Sequence, residues 1–347
     1  MIKVAFDQAP LATGHAIRGI GNYTRQLLAA LKHKSEIELL DMEHSREADV
    51  IHLPYFDLFQ ATLPLKKVKP TVVTIHDTIP LLFPKFYPVG FRGNLALTRQ
   101  KLALKNVAAV ITESEACRVD IQKYLGVPQD KIHVIFLAGN PELEHQLEAS
   151  IKKVKNKYKL PNQYILYVGD INYNKNVPQL IKALKYLPDD LHLVCVGSHF
   201  YPHPIPEWQA IETQLALSDV TDRVQFVTEI KAEKTQELAA CYSGAIAYVQ
   251  PSLAEGFGLP VLEAMQCQTP VVAAHNSSLI EIGGDVVVPV QTDGESIAQG
   301  VKEVLSWSAS LRADKIQEAF QWSHKFSWAK TAAETVAVYQ AVSKSAP

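Results

Sequence analysis

The chain has 347 residues, 47% of them apolar and 20% charged, with a formal net charge of −2. This is the composition of a globular chain large enough for two ordinary domains, and its charge balance excludes a nucleic-acid binder that works through net positive charge. No apolar run reaches the ~20 residues of a membrane span, and the strand-like opening Met1–Asp7 has no long apolar region of the kind a secretory leader needs.

Short apolar strands alternate with amphipathic helical stretches, the pattern of parallel α/β domains. In the first half, Ile2–Phe6, Val50–Leu53, Thr71–Ile75, Val107–Thr112 and His133–Phe136 are expected strands. Asn22–Lys32 is an expected helix with Tyr23, Leu27, Leu28 and Leu31 on one face, and Leu95–Lys105 a second, bearing Arg99, Lys101 and Lys105. A lysine-rich stretch over 145–160 is the natural junction. The pattern then restarts: strand Tyr164–Val168, helix Val177–Leu187, strands Leu191–Gly197 and Val224–Val227, helix Thr235–Tyr242 and strand Ala245–Val249. Strands Val271–Ala273 and Val286–Val288 complete the second sheet, followed by helices Gly294–Leu305, Ala309–Ala319 and Thr331–Val342. The domains are accordingly placed at 1–155 and 156–325, with 326–347 as a C-terminal helix.

The richest chemical segment is Glu255-Gly256-Phe257-Gly258-Leu259-Pro260-Val261-Leu262-Glu263. Pro260 suits the first turn of a helix, which puts Glu255 on the preceding loop and Glu263 near the first turn. Gly256 and Gly258 allow close approach to the backbone, and open N–H groups at a helix start favour an anion such as phosphate. One loop thus offers an anion site between two acceptors, a match for sugar, diphosphate and ribose. The same pattern also arises in a loop with no ligand, where the glutamate only complements the helix dipole.

Other segments carry paired readings. Gly19-Ile20-Gly21-Asn22-Tyr23 lies between the first strand and first helix; Thr24 stands where a dinucleotide fingerprint needs its third glycine, so that fingerprint fails. His76-Asp77 ends an apolar strand, where ligands collect in open α/β sheets, or is a satisfied histidine beside a turn. Lys175 would balance charge on a departing diphosphate, or is a solvated loop lysine. Ser114 reads as a helix cap. No Asp-x-Asp motif occurs, and the four scattered cysteines Cys117, Cys195, Cys241 and Cys267 argue against zinc and disulfides and fit a reducing cytoplasm.

Taken with their flanks, these segments resemble the retaining glycosyltransferases of family 4. Glu255 and Glu263 match that family's Glu-x7-Glu signature, with Tyr248-Val249-Gln250-Pro251-Ser252 before it and Thr269-Pro270-Val271-Val272 after it. Gly19-Ile20-Gly21-Asn22-Tyr23 matches its Gly-Ile-Gly-x-Tyr, and His76-Asp77-Thr78-Ile79-Pro80 the HD-x-x-P of its mannosyltransferase-like members. Thr112-Glu113-Ser114-Glu115 is similar to its Thr-x-Ser-Glu stretch, and Phe326–Ala332 to its closing motif. Ser277-Ser278-Leu279-Ile280-Glu281 is similar to another family stretch and reads as structural.

The resemblance implies a GT-B fold: two Rossmann-like parallel-sheet domains facing a cleft, with the C-terminal helix crossing back to the first. It implies a hexosyltransferase that needs no metal and no cofactor beyond its nucleotide-sugar, GDP-mannose above UDP-sugars. In that reading Glu255, His76 and Lys175 are catalytic. Gly19, Gly21, Asn174, Gly256, Phe257, Gly258, Leu259 and Glu263 bind the donor, with Glu263 on the ribose. Asp77 shapes the turn, orients His76 or, in an inverting enzyme, acts as base. Asn174 stands where the family has arginine, and Arg18 is a candidate to replace that charge. The acceptor is a glycan or lipid-linked glycan of polysaccharide or O-antigen assembly. A nucleotide-sugar epimerase on the same fold and a decayed binding protein stay open.

Charge is unevenly spread: residues 1–160 carry 22 Lys and Arg against 16 Asp and Glu, the remainder 12 against 20. Either the lysine run Lys152–Lys159 is a solvated face, or a basic first domain leans on an anionic membrane. The location expected is cytoplasmic, with peripheral contact at the inner membrane face.

Overall fold

The computed structural model describes residues 1–14, 19–230 and 234–344. The chain divides into two units, Met1–Leu137 with Phe326–Pro347, and Ala138–Lys325. Among the described residues each unit holds a six-stranded, wholly parallel sheet.

In the first unit the strands are β1 (Ile2–Phe6), β2 (Ile37–Leu40), β3 (Val50–Leu53), β4 (Thr71–Thr74), β5 (Ala109–Thr112) and β6 (Ile132–Val134), ordered β2-β1-β3-β4-β5-β6. The inner strands β3, β4 and β5 are buried at every position. Helices on both faces of a parallel sheet require such unbroken apolar runs, which is why these strands were legible as short apolar blocks. Strand β2 was not expected. It lies at the sheet edge with one fully buried residue, and its Glu38 breaks the apolar run.

Helix Gly19–Leu31 buries Tyr23, Leu27, Leu28 and Leu31, the face expected from spacing. Helix Trp328–Lys344 returns to this unit. Its Tyr339 hydroxyl lies 2.6 Å from Nδ1 of His52 in β3, and Thr331 Oγ1 donates to the Phe136 carbonyl at 2.7 Å.

The second unit contains β7 (Tyr164–Val168), β8 (His192–Val196), β9 (Val224–Val227), β10 (Ala247–Gln250), β11 (Val271–Ala274) and β12 (Val288–Val290), ordered β12-β11-β10-β7-β8-β9. Counted from its first strand, this is the 3-2-1-4-5-6 order of doubly wound dinucleotide folds. The direction of winding reverses between β7 and β10, so the loops after these two strands open a crevice at their C-terminal ends.

The lysine-rich stretch is not a linker. Helix Glu148–Tyr158 buries Ile151 and Val154 and packs on helix Thr235–Ser243 of the second unit. The division therefore falls at Leu137 and Ala138, ahead of the lysines, and not at residue 155. Lys157 pairs with Glu237, and Lys155 lies over the ring of Tyr164. This run serves the packing of the second unit and adds no basic face to the first.

Candidate active site

The loop after β7 turns through Tyr173–Lys175 into Asn176, which holds a left-handed φ of 57°. Asn176 Nδ2 donates to the carbonyls of Pro251, at 2.9 Å, and Thr292, at 2.7 Å. One side chain thus ties together the loops after β7, β10 and β12. Asn174 reinforces the joint: its Nδ2 donates to Ala254 O at 3.0 Å, and its own carbonyl accepts from Leu253 N at 2.7 Å. Asn174 is buried at 3% exposure, so it holds the loop where the resemblance placed it against the donor.

These ties bring Lys175 onto Glu255. The ammonium lies 2.9 Å from Oε1 and 2.8 Å from Oε2. Oε1 also accepts from Gln250 Nε2 at 2.8 Å and Ser252 Oγ at 2.6 Å. Among the described residues, Oε2 accepts from Lys175 alone, so the acceptor capacity left on this buried carboxylate is on Oε2. Its backbone is fixed as well: Glu255 N donates to Ser277 Oγ at 3.0 Å, and Ser278 Oγ donates to the carbonyls of Glu255 at 3.0 Å and Phe257 at 2.8 Å.

Gly258 then takes φ +109°, and a Cβ there would stand 2.9 Å from Leu279 Cδ2. Only glycine meets both demands. Helix Leu259–Gln266 follows with Pro260 in its first turn, as expected. Gly256, Phe257 and Gly258 are buried within this loop, so the Phe257 side chain is withheld from a ligand, while Leu259 at the helix start is half-buried.

Glu263 follows directly on the first turn of that helix, near which it was expected; the helix begins at Leu259, one residue before Pro260. It accepts a hydrogen bond from the Tyr242 hydroxyl at 3.1 Å. Burial pushes the Glu263 carboxyl up to about 7, against the lowering effect of that bond. The Tyr242 ring meets Tyr248 edge-on at 5.6 Å, and the Tyr248 hydroxyl donates to Gln250, which donates to Glu255. Burial holds the two phenols well above their ordinary range, with Glu263 adding to it at Tyr242 and both glutamates at Tyr248, so they remain donors.

In the first unit His76 follows β4 and Glu113 follows β5. The register pairs Thr74 with Ile111, which sets residues 76 and 113 side by side at the strands' C-terminal ends. His76 Nδ1 bonds the Glu113 carboxylate, and Nε2 lies 3.0 Å from the Pro54 carbonyl. Both neighbours accept, an arrangement that favours the imidazolium, in which both ring nitrogens donate. Burial opposes that charge, but the Glu113 carboxylate and its hydrogen bond, with the Pro54 carbonyl and Asp77, outweigh it and raise the pKa above the ordinary histidine value.

The Tyr23 ring stands edge-on to His76 at 4.8 Å. Its hydroxyl lies 2.9 Å from Thr74 Oγ1, which lies 2.8 Å from Nε2 of His52. Burial, with the His76 charge, pushes His52 down to about 3, so this second histidine is neutral. Asp77 Oδ1 accepts from Ile79 N at 2.9 Å and opens the short helix Ile79–Leu82.

The structure therefore brings Lys175, Asn174, Glu255 and the 256–259 loop together at the reversal point of the second sheet. Gly19 and Gly21 are the first and third residues of their helix, not a turn ahead of it. Arg18 lies outside the described residues. Sequence reasoning missed Glu113, Asn176, Gln250 and Ser252. Glu113 was the unassigned position of Thr112-Glu113-Ser114-Glu115; its place at the end of a strand beside β4 was the available signal. Ser114 caps helix Glu115–Asp120 as expected, accepting from Cys117 N at 3.1 Å. All four cysteines are buried and unbridged.

Comparison with known proteins agrees with this fold. The family model described as Glycosyl transferases group 1 matches residues 148–322, and that of Glycosyltransferase Family 4 matches residues 21–138. O-antigen chain mannosyltransferase B of Escherichia coli is 26% identical over 96% of this chain and 87% of its own length. The serotype-specific mannosyltransferase WbdA of Escherichia coli is 31% identical over 80% of this chain, which corresponds to 34% of that longer protein. Among solved structures, sucrose-phosphate synthase from Thermosynechococcus elongatus covers the whole chain with a TM-score of 0.76 at 19% identity. Anabaena HepE, in complex with UDP and glucose, covers 98% of this chain and all of its own with a TM-score of 0.74 at 16% identity.

Proposed function

Because the chain belongs to the group 1 glycosyl transferases, we propose that it moves mannose from GDP-mannose, with retention and without a metal ion, to a glycan or lipid-linked glycan acceptor in polysaccharide or O-antigen assembly. The observation that carries this reading is the Lys175–Glu255 pair at the point where the second sheet reverses its winding, the place where such sheets bind nucleotides. The mannosyl choice draws on the His76-Asp77-Thr78-Ile79-Pro80 segment and on the O-antigen mannosyltransferase that matches 96% of the chain.

In this reading Glu263 accepts from the ribose hydroxyls and Oε2 of Glu255 from a hydroxyl of the sugar. The bond between the anomeric carbon and the diphosphate oxygen breaks as the acceptor oxygen bonds to the same face of that carbon. The acceptor's proton passes to the departing phosphate oxygen. Lys175 and the N–H groups at the start of helix Leu259–Gln266 balance the charge that builds on the diphosphate. His76 is assigned to the transferred sugar, and for this its Nε2–H exchanges the Pro54 carbonyl for a sugar hydroxyl. We place the reaction in the cytoplasm, in keeping with four unbridged thiols.

The test is a thermal-shift series with GDP, UDP and ADP, followed by transfer from the matching sugar donors and assignment of the product anomer by NMR. Stabilisation by GDP and an axially linked mannoside support the reading. An inverted product overturns the retaining assignment. A sugar rearranged in donor alone identifies an epimerase. No response to any nucleoside diphosphate overturns the assignment of the site.

A further inference from the structure

A line of buried polar groups in the first unit takes no part in the transfer step. On the returning helix, the Tyr339 hydroxyl lies 2.6 Å from Nδ1 of His52 in β3. Nε2 of His52 lies 2.8 Å from Thr74 Oγ1 in β4, which lies 2.9 Å from the hydroxyl of Tyr23 in helix Gly19–Leu31. All four side chains are buried, at a cost in desolvation that apolar residues would not incur. The line ends on the residue assigned to the sugar. The Tyr23 ring meets His76 edge-on at 4.8 Å, and Thr74 stands two residues ahead of His76.

The protons of this line can be counted. Burial keeps His52 neutral and holds both phenols above their ordinary range, so the imidazole and the three hydroxyls each carry one donor proton. Three links use three of these protons and leave one over. If His52 carries its proton on Nε2, it donates to Thr74, Tyr339 donates to Nδ1, and the surplus proton stays on Thr74 or Tyr23, at the His76 end. If the proton is on Nδ1, it goes to Tyr339, Thr74 donates to Nε2 and Tyr23 donates to Thr74. The surplus proton then stays on Tyr339, at the far end. The charge of His76 separates the two cases. Glu113, the Pro54 carbonyl and Asp77 favour its imidazolium, which repels a surplus proton and attracts the lone-pair end of the line.

We propose that Tyr23, Thr74, His52 and Tyr339 are positioning residues for His76, joined in one line with His52 in the Nδ1–H tautomer and every link donating away from the His76 ring. Tyr339 fixes the tautomer of His52, His52 fixes the Thr74 hydroxyl, and Thr74 pins the Tyr23 ring beside the imidazolium. A satisfied buried network of this kind is rigid, so it can carry the placement of one end to the other. Trp328, the first residue of the returning helix, also meets the Tyr23 ring, at 6.3 Å. Helix Trp328–Lys344 thus reaches Tyr23 both directly and through the line. The other groups around His76 are Glu113, Asp77 and the Pro54 carbonyl, with Cys117 Sγ donating to the His76 carbonyl at 3.3 Å. The catalytic consequence rests on the assignment of His76 to the transferred sugar; the proton arrangement does not.

The experiment is proton–nitrogen NMR of the histidine rings in the full chain. Wild-type His52 is expected as the Nδ1–H tautomer at neutral pH, and an Nε2–H form there would overturn the inference. Tyr339→Phe removes the acceptor of Nδ1–H. The Nε2–H form should then appear, and the His76 pKa should fall because the surplus proton now faces it. In transfer assays kcat should drop about threefold to tenfold, while KM for the donor and the thermal shift with GDP stay unchanged. Thr331→Val is the control. It cuts another tie of the same helix, the bond to the Phe136 carbonyl at 2.7 Å, and should lower the melting temperature without moving either histidine. If Tyr339→Phe keeps the wild-type tautomer and His76 titration, the line is plain core and the inference falls. Equal shifts in Thr331→Val would assign the effect to docking of the helix and overturn it as well. Rings that respond as expected in a protein that ignores every nucleoside diphosphate would sink the transferase reading and leave this arrangement standing.

Discussion

Lys175 and Glu255 form an ion pair across 80 residues of sequence, with the ammonium within 2.9 Å of both carboxylate oxygens. The sequence reading gave them separate tasks, the cation to a diphosphate and the carboxylate to a sugar. In the structure the two are also ion-pair partners. Glu255 is buried, and Lys175 is the cation that balances it. Lys175→Ala would strand a buried carboxylate and should cost about 2–4 kcal/mol of stability in denaturant unfolding. Lys175→Ala should also abolish transfer. Glu255→Gln keeps an amide oxygen for Gln250 and Ser252 and should cost less stability, while transfer still falls by two orders of magnitude or more. A double-mutant cycle should return a coupling energy of about 1–3 kcal/mol; additivity would show that the pair is incidental.

Glu263 should act against stability at neutral and higher pH. Its folded pKa of about 7 lies above the unfolded value, so the folded state holds a proton that the unfolded state releases first. Stability contributed by this group is therefore full at acid pH and falls as pH rises from about 4.5 to 7. One pKa unit corresponds to about 1.4 kcal/mol, so the loss is on the order of 3–4 kcal/mol. Glu263→Gln should raise the melting temperature at pH above about 8 and flatten its pH dependence. If Glu263 receives the ribose hydroxyls, the same variant should bind nucleoside diphosphate more weakly by about tenfold or more. Calorimetry of both properties checks this; a variant more stable and equally tight in binding would remove Glu263 from the donor site.

Glu113 should keep His76 charged. The histidine pKa is raised above its ordinary value in the fold, so this pair stabilises the protein fully below that ordinary value and the contribution is lost as pH rises through the folded pKa. The groups around the ring are Glu113, Asp77, the Pro54 carbonyl, the neutral His52 and Tyr23. With Glu113→Gln, burial becomes the larger influence and the His76 pKa should drop. NMR titration of the ring reads this directly. If His76 donates to the sugar, the basic limb of the kcat/KM profile should move to lower pH with it, and Glu113→Asp should restore part of the shift. A profile that stays in place while the ring titrates differently would confine Glu113 to a structural role.

Local chemistry explains what could be read before the structure. Buried parallel strands are apolar runs, so β3, β4, β7 and β10 were recognisable, whereas the edge strand β2, with Glu38 in its middle, was not. The loop from Glu255 to Leu259 was legible because its glycines and Pro260 each answer a backbone demand visible in sequence. What sequence could not supply was partnership between loops. Lys175 with Glu255, His76 with Glu113 and Asn176 with two carbonyls all depend on strand order and register, which place remote segments at the same sheet edge. The lysine run was misplaced for the same reason: Ile151 and Val154 take their cover from a helix more than seventy residues later.

Asn176 should prove as necessary as the charged residues, although it presents no charge to a ligand. Its amide supplies hydrogen bonds to Pro251 O and Thr292 O, and its backbone sits at φ 57°, where asparagine is among the few tolerated side chains. Asn176→Ala removes both donors and adds strain in the left-handed region, so it should cost about 2–4 kcal/mol. Asn176→Gly relieves the strain but not the lost bonds and should cost about 1–2 kcal/mol. The separation between the two variants measures the backbone contribution. Because the loop after β7 carries Lys175 and the loop after β10 carries Glu255, both variants should weaken nucleoside diphosphate binding in proportion to their loss of stability. A thermal-shift titration against GDP and UDP checks this. Normal binding by a strongly destabilised Asn176→Ala would mean that the two loops hold their geometry without the asparagine, and that the Lys175–Glu255 pair itself sets the site.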